Sequence, residues 1–261
     1  MNILCIGDIV GRPGREALVK LLPEIRKELS IDFVIVNAEN ASGGSGLIPK
    51  NAEEILKAGV DVMTMGDHVW DKQEIYAYLE ANKGKIVRPA NFPEGVPGAG
   101  WAVATTSKGV NVGVINLLGR TFMRYNVHCP FRTLEAVVLQ IKKQASVIIV
   151  DMHAETTSEK VAMGHFADGQ VSCVFGTHTH IQTADEKINP KGTAYITDLG
   201  MSGPYDSVIG QNKDKIISRF LTSMPQKFEV AEGLATLHGI VVDVDEKSGK
   251  ANRITRIQRG G

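Results

Sequence analysis

Residues 2–11 read NILCIGDIVG: an apolar run from Asn2 to Gly7 that stops at a glycine and then a carboxylate, Asp8. Residues 33–40, FVIVNAEN, and residues 60–68, VDVMTMGDH, repeat that form, with helical stretches between them. In the first stretch Leu18, Leu21, Leu22, Ile25 and Leu29 recur on one helical face, and Pro23 is expected to kink it. The second, Pro49 to Ala58, follows a Gly/Ser-rich loop from Ala41 to Gly46. This β-α-β-α-β alternation predicts parallel strands joined by right-handed crossovers, with helices covering the sheet faces.

Further along, Trp101 to Thr106 and Val110 to Leu117 flank Ser107-Lys108-Gly109 and read as a hairpin, so part of the sheet is antiparallel. A helix from Pro130 carries Leu134, Val137, Val138 and Ile141 on one face and leads to a strand from Val147 to Val150. Val171 to Phe175 and Thr193 to Thr197 read as strands, Asp214 to Leu221 as a helix, and Leu234 to Val244 and Arg253 to Ile257 as a terminal β region. No repeat or linker divides the chain, and residues 1–261 read as a single domain.

Lys plus Arg total 29 and Asp plus Glu total 29, so no net field draws the protein to nucleic acid or an anionic membrane. No apolar run approaches the roughly 20 residues of a membrane span. Cys5, Cys129 and Cys173 form no paired motif and fit reduced thiols in a cytoplasmic protein.

The chemistry lies at the strand ends. Asp8 follows Ile6-Gly7, Glu39 follows Val36-Asn37-Ala38, and Asp67-His68 follow Met65-Gly66. Asp151-Met152-His153 follow Val150, and His178-Thr179-His180 follow Phe175-Gly176-Thr177. In an open α/β sheet the carboxyl ends of parallel strands meet at one crevice, so these side chains are expected to share it. His178 and His180, two apart on an extended segment, are expected to point the same way. Asp8, Glu39, Asp67, His153, His178 and His180 together carry too much negative charge to bury without cations. Mixed imidazole and carboxylate donors suit manganese, iron or zinc better than calcium, and six donors suit two metals better than one saturated ion. His128, His165 and His238 match no such position and read as structural or peripheral. Arg88, Arg120, Tyr205 and the Gly203-Pro204 turn are candidates for the rim or for supporting the residues at the site.

Two glycine-rich stretches invite other readings. Ile9 occupies the second glycine position of a dinucleotide-binding fingerprint, and Gly43-Gly44-Ser45-Gly46 lacks the Lys and Ser/Thr of a P-loop.

Gly7-Asp8, Glu39, Gly66-Asp67-His68, His153 and Thr177-His178-Thr179-His180 fall in the order of the calcineurin-like metallophosphoesterase motifs, and the chain resembles that superfamily. Gly7 to Gly11, Asn37 to Asn40, Arg88 to Pro93, Gly176 to Thr183 and Thr197 to Asp206 resemble its YmdB-type bacterial branch, over nearly the whole chain. The resemblance implies a four-layer α/β fold, a mixed β-sheet sandwich flanked by helices. It also implies hydrolysis of 2′,3′-cyclic nucleotides to 3′-nucleotides. By the same resemblance Asp8, Glu39, Asn40 and His180 hold one metal and Glu39, Asp67, His153 and His178 the other. Iron or manganese is the first expectation, magnesium or zinc the second. A bridging hydroxide is then the nucleophile and His68 the general acid. Val10 stands where many superfamily members place a ligand histidine, an absence the YmdB-type branch shares. Asp67 stands where the superfamily usually has asparagine, which adds a negative charge to the site. A phosphomonoesterase or nuclease using the same metals is the second reading. A weakly active nucleotide- or RNA-binding regulatory protein, on account of Asp67, is the third. A small phosphodiester is favoured over RNA as partner, and self-association is left open.

Overall fold

A computed structural model describes residues 1–260. β1 (Asn2–Ile6), β2 (Asp8–Ile9), α1 (Gly11–Glu28), β3 (Ile31–Asn37), α2 (Pro49–Lys57), β4 (Val62–Thr64), α3 (Ile75–Ala81) and β5 (Ile86–Val87) begin a first sheet and its helices. β6 (Trp101–Thr105), β7 (Asn111–Leu118), α4 (Pro130–Ile141), β8 (Val147–His153), α5 (Thr157–Phe166), β9 (Cys173–Thr177), β10 (Lys187–Ile188) and β11 (Ala194–Ile196) supply a second. The chain returns to the first through β12 (Met201–Pro204), α6 (Lys213–Thr222), β13 (Ala235–Val244) and β14 (Ala251–Gly260).

The first sheet runs β2-β12-β13-β1-β3-β4-β5, with β14 also paired to β13. β1, β3, β4 and β5 are parallel, as the alternation requires, and β13 is antiparallel to β1. The second runs β10-β11-β9-β8-β7-β6, parallel from β11 to β7 and closed by the antiparallel β6-β7 hairpin.

Period-two alternation sorts the apolar side chains into layers. Ile3, Cys5, Phe33, Ile35 and Val62 face Val112, Val114, Val147, Ile149, Cys173 and Phe175 across the space between the sheets. Their neighbours Leu4, Ile6, Val34 and Val36 point the other way, onto Leu18, Leu22 and Ile25 of α1 and Ile55 of α2. Ile148, Val150 and Val174 likewise pack on Leu134, Val138 and Ile141 of α4 and Met163 of α5. Helix, sheet, sheet, helix is therefore the layer order, the four-layer sandwich expected. Each large aliphatic side chain so buried contributes about 1.5–3 kcal/mol, and a one-residue slip in any strand would exchange its two faces.

α1 continues through Pro23 to Glu28. The sequence reading does not place α3, α5 or the short strands β2, β5, β10 and β12. α5 offers no apolar stripe to read: it buries only Lys160, Met163 and Gly164, and it seats on the Tyr195 ring where Gly164 leaves room.

Candidate metal centre and active site

Inner-face alternation does not stop where the apolar residues stop. Two residues beyond Ile35 lies Asn37, beyond Val62 lies Thr64, beyond Ile149 lie Asp151 and then His153, and beyond Phe175 lies Thr177. At the carboxyl ends of the parallel strands the dry space between sheets thus becomes polar. Thr64 Oγ1 and Asn37 Nδ2, from the first sheet, donate to Asp151 Oδ2 in the second at 2.5 and 3.1 Å. β8 runs three residues past the expected end at Val150, so His153 is its last residue.

Thr177 sets the protonation of His153. Its hydroxyl donates its one proton to Asp151 Oδ1 at 2.6 Å, so it accepts from His153 Nδ1 at 2.8 Å. His153 Nε2 then faces the site, 3.0 Å from Glu39 Oε1, 3.1 Å from Asp67 Oδ1 and 3.1 Å from His178 Nδ1. The other imidazoles are turned the same way. His178 Nε2 faces Glu155 Oε2 at 3.1 Å, which points Nδ1 inward, and His180 Nδ1 donates to the Ile209 carbonyl at 2.9 Å, which points Nε2 inward.

Glu39, Asp67, His153 and His178 bring one donor atom each to within 4.8 Å of one another. Asp8, Asn40 and His180 gather on the far side of Glu39. His180 Nε2 lies 3.2 Å from the Asn40 amide and 3.7 Å from Asp8 Oδ1, and the same amide lies 3.4 Å from Glu39 Oε1. Glu39 therefore stands between the two groups. The structure brings Asp8, Glu39, Asn40, Asp67, His153, His178 and His180 close together. The backbone does differ from expectation: β9 ends at Thr177, and His178 and His180 adopt left-handed φ of 94° and 65°. They consequently point into different halves of the site, not side by side. Such backbone costs about 1–3 kcal/mol per residue, and Asp198 helps to hold it by accepting from Thr179 Oγ1 at 2.7 Å. Asp198 is itself paired at 2.7 Å with Lys160, both side chains being buried.

The electrostatics call for a cation. Asp8, Glu39 and Asp67 are buried, and among the described residues their ion-pair partners are only imidazoles. Burial would raise the Asp67 carboxyl, but hydrogen bonds from His153 and His178 hold it far below the usual carboxylate range. Burial would equally lower His153, but the Glu39 charge, the bonds to Asp67 and Glu39 and the Asp8 charge raise it well above ordinary histidine. A field that would hold a proton on His153 Nε2 also suits a metal ion there. Gly66 leaves the space: a Cβ on it would lie 2.3 Å from both Glu39 Oε2 and His153 Nε2. One ring nitrogen has no means of donating to three neighbours, so convergent lone pairs on buried anions fit a metal shell.

His68 sits beside this cluster, its backbone N–H donating to Glu39 Oε2 at 3.0 Å. Its Nδ1 lies 2.7 Å from Asp71 Oδ2, which also accepts from Ser45 Oγ at 2.5 Å, while Asp71 Oδ1 pairs with Arg124 at 2.9 Å. Burial lowers the His68 imidazole, but Glu39, Asp67 and Asp71 outweigh it and raise the pKa. Ser45 gives the Gly/Ser-rich loop a place at the site's edge. A cavity of about 1010 Å³ adjoins it, lined by Arg12, Arg15, Ser42, Lys72 and Val230 but by none of the clustered donors.

Asp151, Thr177 and Asn37 stand in the quoted strand-end motifs without an assigned role there, and Thr64, Glu155 and Asp71 are supporting residues the sequence reading does not single out. Continuing the period-two pattern past the last apolar residue would have found Asn37, Thr64, Asp151 and Thr177; nothing local marks Glu155 or Asp71. Arg88 is not at the rim, since its guanidinium donates to the carbonyls of Pro89 at 2.7 Å and Pro97 at 3.1 Å and pins that loop. Tyr205 stacks on His238 with ring centroids 4.3 Å apart and donates to the Met201 carbonyl, a packing role.

With this arrangement in place, the comparison with known proteins is decisive: a profile of YmdB-like proteins matches residues 4–257. The chain belongs to the YmdB-like family. It is 47% identical over 257 residues to a Bacillus subtilis (strain 168) protein named 2′,3′-cyclic-nucleotide 2′-phosphodiesterase, covering 98% of this chain and 96% of that one. It is 38% identical over 264 residues to a Mycoplasma pneumoniae putative phosphatase/phosphodiesterase, covering 99% and 92%. Among solved structures, a hypothetical protein from Thermus thermophilus superposes with a TM-score of 0.92 at 39% identity, covering 100% of this chain and 99% of that one. A novel phosphatase from Mycoplasma pneumoniae does so at 0.92 and 38%, covering 100% and 93%. Family membership and the four-layer fold are thus in agreement. No helix among the described residues is long and apolar enough to cross a membrane.

Proposed function

We propose that residues 1–261 act as one metallophosphoesterase domain of the cytoplasm that hydrolyses small phosphodiesters, opening 2′,3′-cyclic nucleotides to 3′-nucleotides. The observation that carries the reading is the convergence of Glu39, Asp67, His153 and His178 on one point beside His68. That the chain is a phosphoester hydrolase is supported by relatives named phosphodiesterase and phosphatase. Asp8, Glu39, Asn40 and His180 would hold one ion, and Glu39, Asp67, His153 and His178 a second, with Glu39 shared. Ions of the iron or manganese type would polarise the phosphoryl oxygens and acidify water.

The chain's own groups do the rest. His68 keeps Nδ1–H on Asp71, which leaves Nε2–H to protonate the departing ribose 2′-oxygen. Against burial, the charges of Glu39, Asp67 and Asp71 shift its pKa upward, the direction that favours the protonated form a general acid uses. Arg124 and Ser45 fix Asp71 and so the plane of the imidazole. Balanced overall charge suits a small substrate over a long polyanion.

Protein loaded with manganese or iron is expected to convert adenosine 2′,3′-cyclic monophosphate to the 3′-monophosphate faster than it cleaves p-nitrophenyl phosphate or a short RNA. His68→Asn should lower kcat by roughly 10²–10⁴-fold with unchanged metal stoichiometry by elemental analysis. Absence of cyclic-nucleotide turnover with every metal sinks the reading, and preferential cleavage of the monoester or the RNA reassigns the substrate.

A further inference from the structure

Phe122 is 87% exposed, and its backbone lies at φ 60°, a conformation that bulky residues rarely adopt. Neither burial nor backbone preference accounts for an aromatic ring there, yet the loop that carries it is well anchored. At its start Gly119 N–H donates to the His153 carbonyl at 2.9 Å, and the Glu159 carboxylate accepts from the N–H groups of Arg120 and Thr121. At its end Arg124 pairs with Asp71, the partner of His68, and lies over the Tyr125 ring. Tyr125 packs edge-on to Phe92, and Phe92 to Trp70. One end of the loop is thus tied to the strand that carries His153 and the other to the residue that orients His68.

Phe122 lies two residues from Arg124, which pairs with Asp71, and three positions from Gly119, which keeps its Cα within roughly 11 Å of the Gly119 Cα. The ring is thus exposed on an arch anchored at one end to His153 and at the other to Asp71, the partner of His68. Exposed Arg120, which makes no ion pair among the described residues, flanks it.

We infer that Phe122 is the stacking platform for the nucleobase of the substrate, setting preference for nucleoside cyclic phosphates over base-free ones. This rests on the phosphodiesterase reading above. A nucleobase is the component of such a substrate that presents a π-face to an otherwise unused aromatic ring, and stacking on it selects for a base without selecting strongly among bases. The left-handed backbone has a use on this account, since it turns the ring outward to meet a ligand.

The test compares wild type, Phe122→Ala, Phe122→Leu and Phe122→Trp, each loaded with manganese, on adenosine 2′,3′-cyclic monophosphate and on glycerol 1,2-cyclic phosphate, which has no base. In the Ala and Leu variants KM for the nucleotide should rise at least roughly 5-fold, with kcat and the KM for the glycerol ester unchanged, while Trp restores the wild-type value. In the Trp variant, adenosine 3′-monophosphate should quench additional fluorescence relative to wild type. Wild-type turnover of the nucleotide with equal KM in all four proteins overturns the role of Phe122 alone. A parallel rise in KM for the glycerol ester, or unchanged KM with an altered sedimentation coefficient in Phe122→Ala, also overturns it, the latter by assigning the ring to a contact between chains. Failure of wild type to turn over the nucleotide removes the phosphodiesterase reading and this inference with it.

Discussion

Replacing Thr177 by Val removes one oxygen and keeps the shape of the side chain. In the folded protein that oxygen donates to Asp151 at 2.6 Å and accepts from His153 at 2.8 Å, and all three residues are fully buried. Water does not reach them to substitute. Each partner left unpaired costs about 1–3 kcal/mol, so roughly 2–6 kcal/mol is at stake. Asp151 softens the loss, because burial has already raised its pKa to about 6 and it keeps its bonds from Thr64 and Asn37. About 3 kcal/mol is expected, which lowers Tm by roughly 6–12 °C at the 2–4 °C per kcal/mol usual for domains of this size. The functional effect is separate: without an acceptor at Nδ1 the imidazole loses its fixed tautomer, and affinity for the ion proposed at His153 should fall about 10–100-fold. Calorimetric titration of metal-free protein with manganese and a thermal melt of the same samples read the two effects. Thr177→Ser, which keeps the hydroxyl, should retain the affinity. Unchanged metal affinity in Thr177→Val, with a melting temperature near wild type, would refute the claim that Thr177 sets the state of His153.

Other substitutions probe the rest of the arrangement. Gly66→Ala places a methyl 2.3 Å from Glu39 Oε2 and His153 Nε2, and elemental analysis should show lost metal stoichiometry while far-UV circular dichroism is retained. Lys160→Met leaves Asp198 buried without its cation, a loss of about 3–5 kcal/mol that should lower Tm by roughly 6–20 °C; an unchanged melt would mean that Thr179 and Gly200 suffice as donors. Burial depresses the His238 pKa to about 4. Between the unfolded value near 6.5 and about 4 the unfolded chain binds the extra proton, so this contribution to stability is complete above 6.5 and lost as pH falls. His238→Phe should flatten the urea-denaturation profile across that window, and a slope identical to wild type would remove His238 as its source. Asp67→Asn takes one negative charge from the cluster and should raise turnover of the cyclic nucleotide and alter the preference between manganese and iron; equal rates with both metals contradict this.

The longer strands and helices, the strand faces and the carboxylates and imidazoles at the strand ends are legible in the residue string. They follow from local periodicity and from polar residues that end apolar runs, as at Ile6-Gly7-Asp8 and Met65-Gly66-Asp67. The division of the parallel strands between two sheets is not legible there, nor is the meeting of Asn37 and Thr64 of one sheet with Asp151 of the other. Nor does the string reveal that His178 and His180 turn into opposite halves of the site, or that Asp71 and Glu155 orient the imidazoles. Neighbours along a chain share a period, and a period is visible in a string of residues. A hydrogen bond between Asn37 and Asp151, 114 positions apart, depends on how two sheets are stacked, and no local pattern encodes that.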